Sequence, residues 1–124
     1  MTTYILWIEI IFFACMGGVA LFKPSIVTGI FGQQKTGPDM RNEVRAVYGG
    51  FGLAIAAVLG SCFYLAAYQA GILLTVSAAL LGMAFGRVIS RLVERTDGWY
   101  PWLFFFVECT LGFGLLFVLK EGGV

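Results

Sequence analysis

Apolar residues fill four long runs of this chain, separated by short polar breaks, and that alternation sets the first reading of its elements. The first run covers residues 4–22 and is interrupted only by Glu9; Lys23 and Pro24 end it, because proline cannot continue a helix. Residues 25–42 carry Gly29, Gly32, Gly37 and Pro38 among Gln33, Gln34, Lys35, Asp39 and Arg41, which is loop chemistry, with Ile26, Val27, Ile30 and Phe31 suited to an interfacial turn. A second run covers 44–68 and a third 71–93, which leaves Gln69, Ala70 and Gly71 as the turn of a tight antiparallel hairpin. Residues 94–98 are polar, and Trp99, Tyr100 and Trp102 around Pro101 form an interfacial aromatic cluster before the last run, 103–119. A spanning helix needs ~20 mostly apolar residues. The pattern therefore predicts an all-α fold, a single transmembrane domain over residues 1–124 built as an integral-membrane antiparallel four-helix bundle.

Composition sharpens this. Of 124 residues, 60% are hydrophobic and 12% charged, where a soluble domain carries roughly a quarter charged. A net charge of +1 offers no basic surface for nucleic acid, and the absence of histidine removes the commonest metal ligand and proton shuttle. No metal or cofactor is expected. Cys15, Cys62 and Cys109 each stand alone in a different run and read as buried structural thiols. Phe12, Phe13, Phe104, Phe105 and Phe106 are expected to meet lipid or fill the bundle, without specific chemistry. No positive charge precedes the first run, which argues against a signal peptide. With four spans, Lys23, Lys35, Arg41, Arg45, Arg87, Arg91 and Arg95 gather toward one side and Lys120 lies opposite, so the positive-inside rule places both longer loops in the cytoplasm and both termini outside.

Ionisable groups within a span cost ~2.5–3.5 kcal/mol on insertion scales, so each asks for a partner or a purpose. At 1.5 Å of rise per residue, Arg87 lies about 9 Å inside the third span and Glu108 about 12 Å inside the fourth counted from Tyr100 in its interfacial cluster, a shared depth. Glu9 lies about 20 Å from the cytoplasmic end of the first span and is the hardest to satisfy. Glu43, Arg45 and Tyr48 form a polar cluster at the start of the second span, with Arg45 expected to pair with Glu43 or another acid. Arg91 has Glu94 three residues on as a partner. These charges either converge on a vestibule or serve as ion pairs that order the helices. Small residues also recur every four positions, as Ala78, Gly82, Gly86 and Ser90 on the third span and Ala46, Gly50 and Ala54 on the second. These stripes are expected to face each other in the hairpin or to mediate self-association.

The segment from Asn42 through Glu43, Arg45, Ala46, Tyr48, Gly49 and Gly50, the later Gly86, Arg87 and Ser90, and Glu108 together resemble a family of small bacterial four-span membrane proteins known as a domain of unknown function. That family is loosely similar to the DoxX-type membrane proteins. The resemblance covers essentially the whole chain, implies a bacterial inner-membrane location, and attaches no activity to its motif positions.

Three functions compete. The leading one is a non-enzymatic bundle in which Glu43, Arg45, Tyr48, Arg87 and Glu108 bind an amphipathic or anionic small molecule or a lipid headgroup, since an arginine fork takes carboxylate or phosphate at two points. The second is proton-coupled transport with Glu9 as the proton site, because the size and the glutamate in the first span also resemble the small multidrug-resistance exporters. The third is an accessory subunit that packs against a larger membrane complex, its small-residue ridges being the working surface. An autonomous enzyme has the least support, as no nucleophile–base pair or metal-ligand spacing stands out.

Overall fold

The computed structural model of the chain describes residues 1–33, 35–95 and 97–124. It is all-α, with no strand among the described residues. Among the described residues five helices follow one another: α1 (Thr2–Phe22), α2 (Pro24–Ile30), α3 (Pro38–Ser61), α4 (Ala66–Val93) and α5 (Tyr100–Lys120). All but α2 are long and apolar enough to cross a membrane, the makeup of an integral-membrane four-helix bundle. In lipid, every backbone N–H and C=O must be satisfied internally, which is why the apolar runs become continuous helices.

Two boundaries differ from the hydropathy reading. The second long helix starts at Pro38 rather than 44, with proline at its first turn and Asp39 favourably placed at its positive end. It stops at Ser61 rather than 68, where the Ser61 hydroxyl donates to Val58 O at 2.6 Å and competes with the helical ladder. The turn therefore falls at residues 62–65. Gln69, expected in that turn, is instead a buried residue of α4, and its Nε2 donates to Cys62 O at 3.0 Å. An apolar, glycine-free turn leaves no mark in the hydropathy pattern. The interfacial turn expected at 26–31 is realised as α2, opened by Pro24 and closed by Gly32 at φ +76°.

The chain divides into two compact units, residues 7–61 and residues 1–6 with 62–124. In the first, α1 meets α3 through glycines. A methyl group added at Gly17 would lie 2.8 Å from Leu53 N and 2.9 Å from Gly49 O, and one at Gly52 would lie 3.2 Å from Gly17 Cα. Ala20, Val27 and Val44 are buried at this junction with Phe31 and Tyr48 against them.

In the second unit, α4 and α5 form a seam. Leu73, Val76, Ser77, Leu80 and Ala84 are buried on α4, and Glu108, Leu111, Gly112, Leu115 and Val118 on α5, both at helical three-and-four spacing. A Cβ at Gly112 would lie 2.8 Å from Leu81 Cγ, so glycine there permits the close approach, and the Ser77 hydroxyl donates to Gly112 O at 2.7 Å across it.

The close contacts thus use other glycines than those of the expected stripes. Ala78, Gly82, Gly86 and Ser90 are all exposed, as are Ala46, Gly50 and Ala54, and added methyl groups at Gly82 and Gly86 would meet nothing within 4 Å. Of the cysteines, only Cys62 is fully buried; Cys109 is half-buried and Cys15 exposed, because a residue in an apolar run of a membrane helix can as well face outward.

Candidate functional site

Arg87 and Glu108 meet, as their common depth requires. Arg87 Nε donates to Glu108 Oε2 at 2.7 Å and its terminal nitrogen to Oε1 at 2.6 Å, a two-point fork on one carboxylate. The side chain of Glu108 is 6% exposed and that of Arg87 29%. The guanidinium also stands 5.3 Å over the ring of Phe104, one turn before Glu108 on α5. Phe104, expected to be chemically silent, thus supports the charge. The pair locks α4 to α5 and cancels its own net charge.

Beside this pair lies a cavity of about 340 Å³, lined among others by Gly86, Arg87, Ser90 and Arg91 of α4 and by Tyr100 and Trp102 of α5. It sits where α4 ends and α5 begins. Arg91 does not pair with Glu94 as expected, and no carboxylate among the described residues lies within ion-pair distance of it. The reason is local: Glu94 has left the helix, with extended backbone at φ −146° and ψ 146°, which carries its side chain off the helical i, i+3 position. The cavity wall therefore holds a neutralised arginine, an arginine whose charge is uncompensated, two hydroxyl-bearing side chains and an indole. Arg91, Tyr100 and Trp102 fell outside the candidate set drawn from the sequence. The cue was present in the interfacial aromatics at the start of α5 and in Arg91 standing one turn after Arg87.

The remaining candidates lie in the other unit. Arg45 opens a π-helical segment, Arg45–Gly50, whose wider turn inserts an extra residue and is a feature often found at functional positions. Its Nε donates to Leu21 O at 3.1 Å, so the guanidinium satisfies a carbonyl of the last turn of α1 in place of the expected carboxylate. The expected pairing with Glu43 is not made, and Glu43 is exposed. The Tyr48 ring lies 5.7 Å from that of Phe31, tilted by 50°, and Gly49 lies against Leu21, where an added methyl would come within 3.1 Å of the backbone nitrogen. Arg45, Tyr48 and Gly49 thereby join α1 and α2 to α3. Glu9 is 1% exposed and its Oε2 has no hydrogen-bond partner, the least satisfied polar group among the described residues.

Comparison with curated proteins and with solved structures finds no match at a significant level. The model of one protein family, described as a domain of unknown function (DUF4345), matches residues 1–119. Four spanning-length helices and that match over nearly the whole length agree, and the chain belongs to the DUF4345 family.

Proposed function

We propose that this protein is a non-catalytic, multi-pass membrane protein that binds an anionic amphiphile in the cleft between the end of α4 and the start of α5. The observation that carries this reading is the uncompensated charge of Arg91 in a cavity that also presents Trp102 and Tyr100. Trp and Tyr favour the headgroup level of a bilayer, and an arginine fork there matches carboxylate or phosphate oxygens. Arg87 shapes the wall and Glu108 is its counter-ion. Arg45 and Tyr48 act in this reading as joints between helices, and Glu43 as a solvated flank. The basic residues flanking the spans orient the cleft toward the cytoplasmic leaflet of a bacterial inner membrane, with both termini outside.

Native mass spectrometry of protein extracted gently from its own membrane tests the reading. A discrete anionic adduct on the wild type, lost in Arg91→Gln, is the expected result; an adduct unchanged by that substitution refutes it. The unpartnered Oε2 of Glu9 favours a second reading, proton-coupled transport with Glu9 as proton carrier. Uptake or export that persists in Glu9→Gln rejects it.

A further inference from the structure

We infer that the occupant of the α4–α5 cleft is the headgroup of a monoanionic phosphodiester lipid with hydroxyl groups beyond its phosphate, of the phosphatidylglycerol class. This rests on the reading just given and narrows it.

Charge sets the first condition. Glu108 takes the edge of Arg87 formed by Nε and one terminal nitrogen and balances its charge, and Arg91 has no carboxylate within ion-pair range among the described residues, so the cleft carries a single uncompensated positive charge. A single negative charge balances it. A zwitterionic headgroup brings an ammonium as well, which would sit in the field of the Arg91 guanidinium.

Hydrogen-bonding chemistry sets the second. The guanidinium of Arg91 is donor-only and planar, fitted to two oxygens of one phosphate. Ser90 on the cavity wall adds a hydroxyl that both donates and accepts, the complement of a polyol rather than of a methylated amine.

Size sets the third. At about 340 Å³ the cavity is at the small end of ligand pockets, which run from about 300 to 1,000 Å³. It has room for a phosphate with a glycerol and not for a diacyl lipid, so the acyl chains stay in the bilayer. The exposed Trp99 and Trp102 mark the interface at which such a headgroup lies.

Gly86 gives an independent steric handle. Its missing side chain faces open space, so a leucine there fills the cleft without disturbing helix packing or removing charge. The experiment uses full-length protein, delipidated in neutral detergent and titrated with short-chain phosphatidylglycerol, short-chain phosphatidylcholine or free glycerol phosphate under native mass spectrometry. Phosphatidylglycerol is expected to bind on the order of tenfold more tightly than phosphatidylcholine, which corresponds to one charge-assisted contact. That preference is expected to vanish in both Arg91→Gln and Gly86→Leu, and to survive partly in Arg91→Lys, with helicity by circular dichroism unchanged in all three. Free glycerol phosphate is expected not to bind; equal binding of it would make the site one for soluble anions and overturn the inference.

Equal affinity for the two lipids overturns it as well. If an endogenous anionic adduct is then still lost in Arg91→Gln, the amphiphile reading survives and only the headgroup class fails; if no adduct forms at all, both fail. Phosphatidylglycerol binding untouched by Gly86→Leu removes the headgroup from the cleft. A dimer mass abolished by Gly86→Leu, without a lipid adduct, replaces the lipid with a second copy of the chain.

Discussion

Severing the Arg87–Glu108 fork is the sharpest perturbation of this molecule. Two charge-assisted hydrogen bonds of 2.6 and 2.7 Å join a carboxylate that is 6% exposed to a guanidinium that is 29% exposed. Removing one partner of a buried pair leaves an uncompensated charge and costs about 3–5 kcal/mol; partial exposure of Arg87 puts this pair near the lower end, roughly 3 kcal/mol for Arg87→Met or Glu108→Met alone. Arg87→Met is expected to be the costlier, because it strands the more deeply buried group and also loses the cation–π contact with Phe104. The double variant removes both charges together and substitutes apolar volume, so it is expected to lie within about 1–2 kcal/mol of wild type. The coupling term, the double change less the sum of the singles, is then on the order of −4 kcal/mol. Reversible unfolding in mixed micelles against increasing anionic detergent, followed by circular dichroism, measures it. Additive singles, with coupling below about 1 kcal/mol, would refute the claim that this pair locks α4 to α5.

Three further outcomes follow from the packing. Gly17→Ala pushes a methyl into the backbone of Leu53 and Gly49 and is expected to cost about 1–3 kcal/mol, whereas Gly82→Ala, in open space, is neutral or gains up to about 1 kcal/mol in helix propensity; the same unfolding assay compares them. Arg45→Met removes the donor to Leu21 O and is expected to cost about 1 kcal/mol, seen as faster amide hydrogen exchange confined to the last turn of α1 and the junction with α2. Glu9→Met removes a buried, unpartnered polar atom and is expected to stabilise the fold by about 1–3 kcal/mol; a loss of stability would show that the Glu9 carboxyl has a structural partner.

Depth was the coordinate that could be read in advance. A rise of 1.5 Å per residue, counted from each span's polar end, put Arg87 and Glu108 at one level, and they meet there. The same count singled out Glu9 as the charge without a counterpart, and it is buried with an unpartnered oxygen. Rotation about each helix axis was not contained in such counting. Arg45 found a carbonyl of α1 rather than an acid, and the stripe from Ala78 to Ser90 is exposed, with Gly86 and Ser90 on the cleft wall, while Gly17, Gly49, Gly52 and Gly112 make the close approaches. Arg91 has no ion-pair partner among the described residues, because the chain turns to extended backbone at Glu94, a choice no helical spacing rule anticipates.

The sequence by itself determined that this is an all-α chain with four spanning-length apolar helices, because hydrocarbon permits no unsatisfied backbone and so converts each apolar run into helix. Tertiary structure alone decided where α3 breaks, which glycines are filled by a neighbour, and which arginine faces a cavity with its charge unspent. Those outcomes depend on side chains meeting across helices, and the rotation that brings them together is set by the partner surface rather than by the run of residues within any one helix.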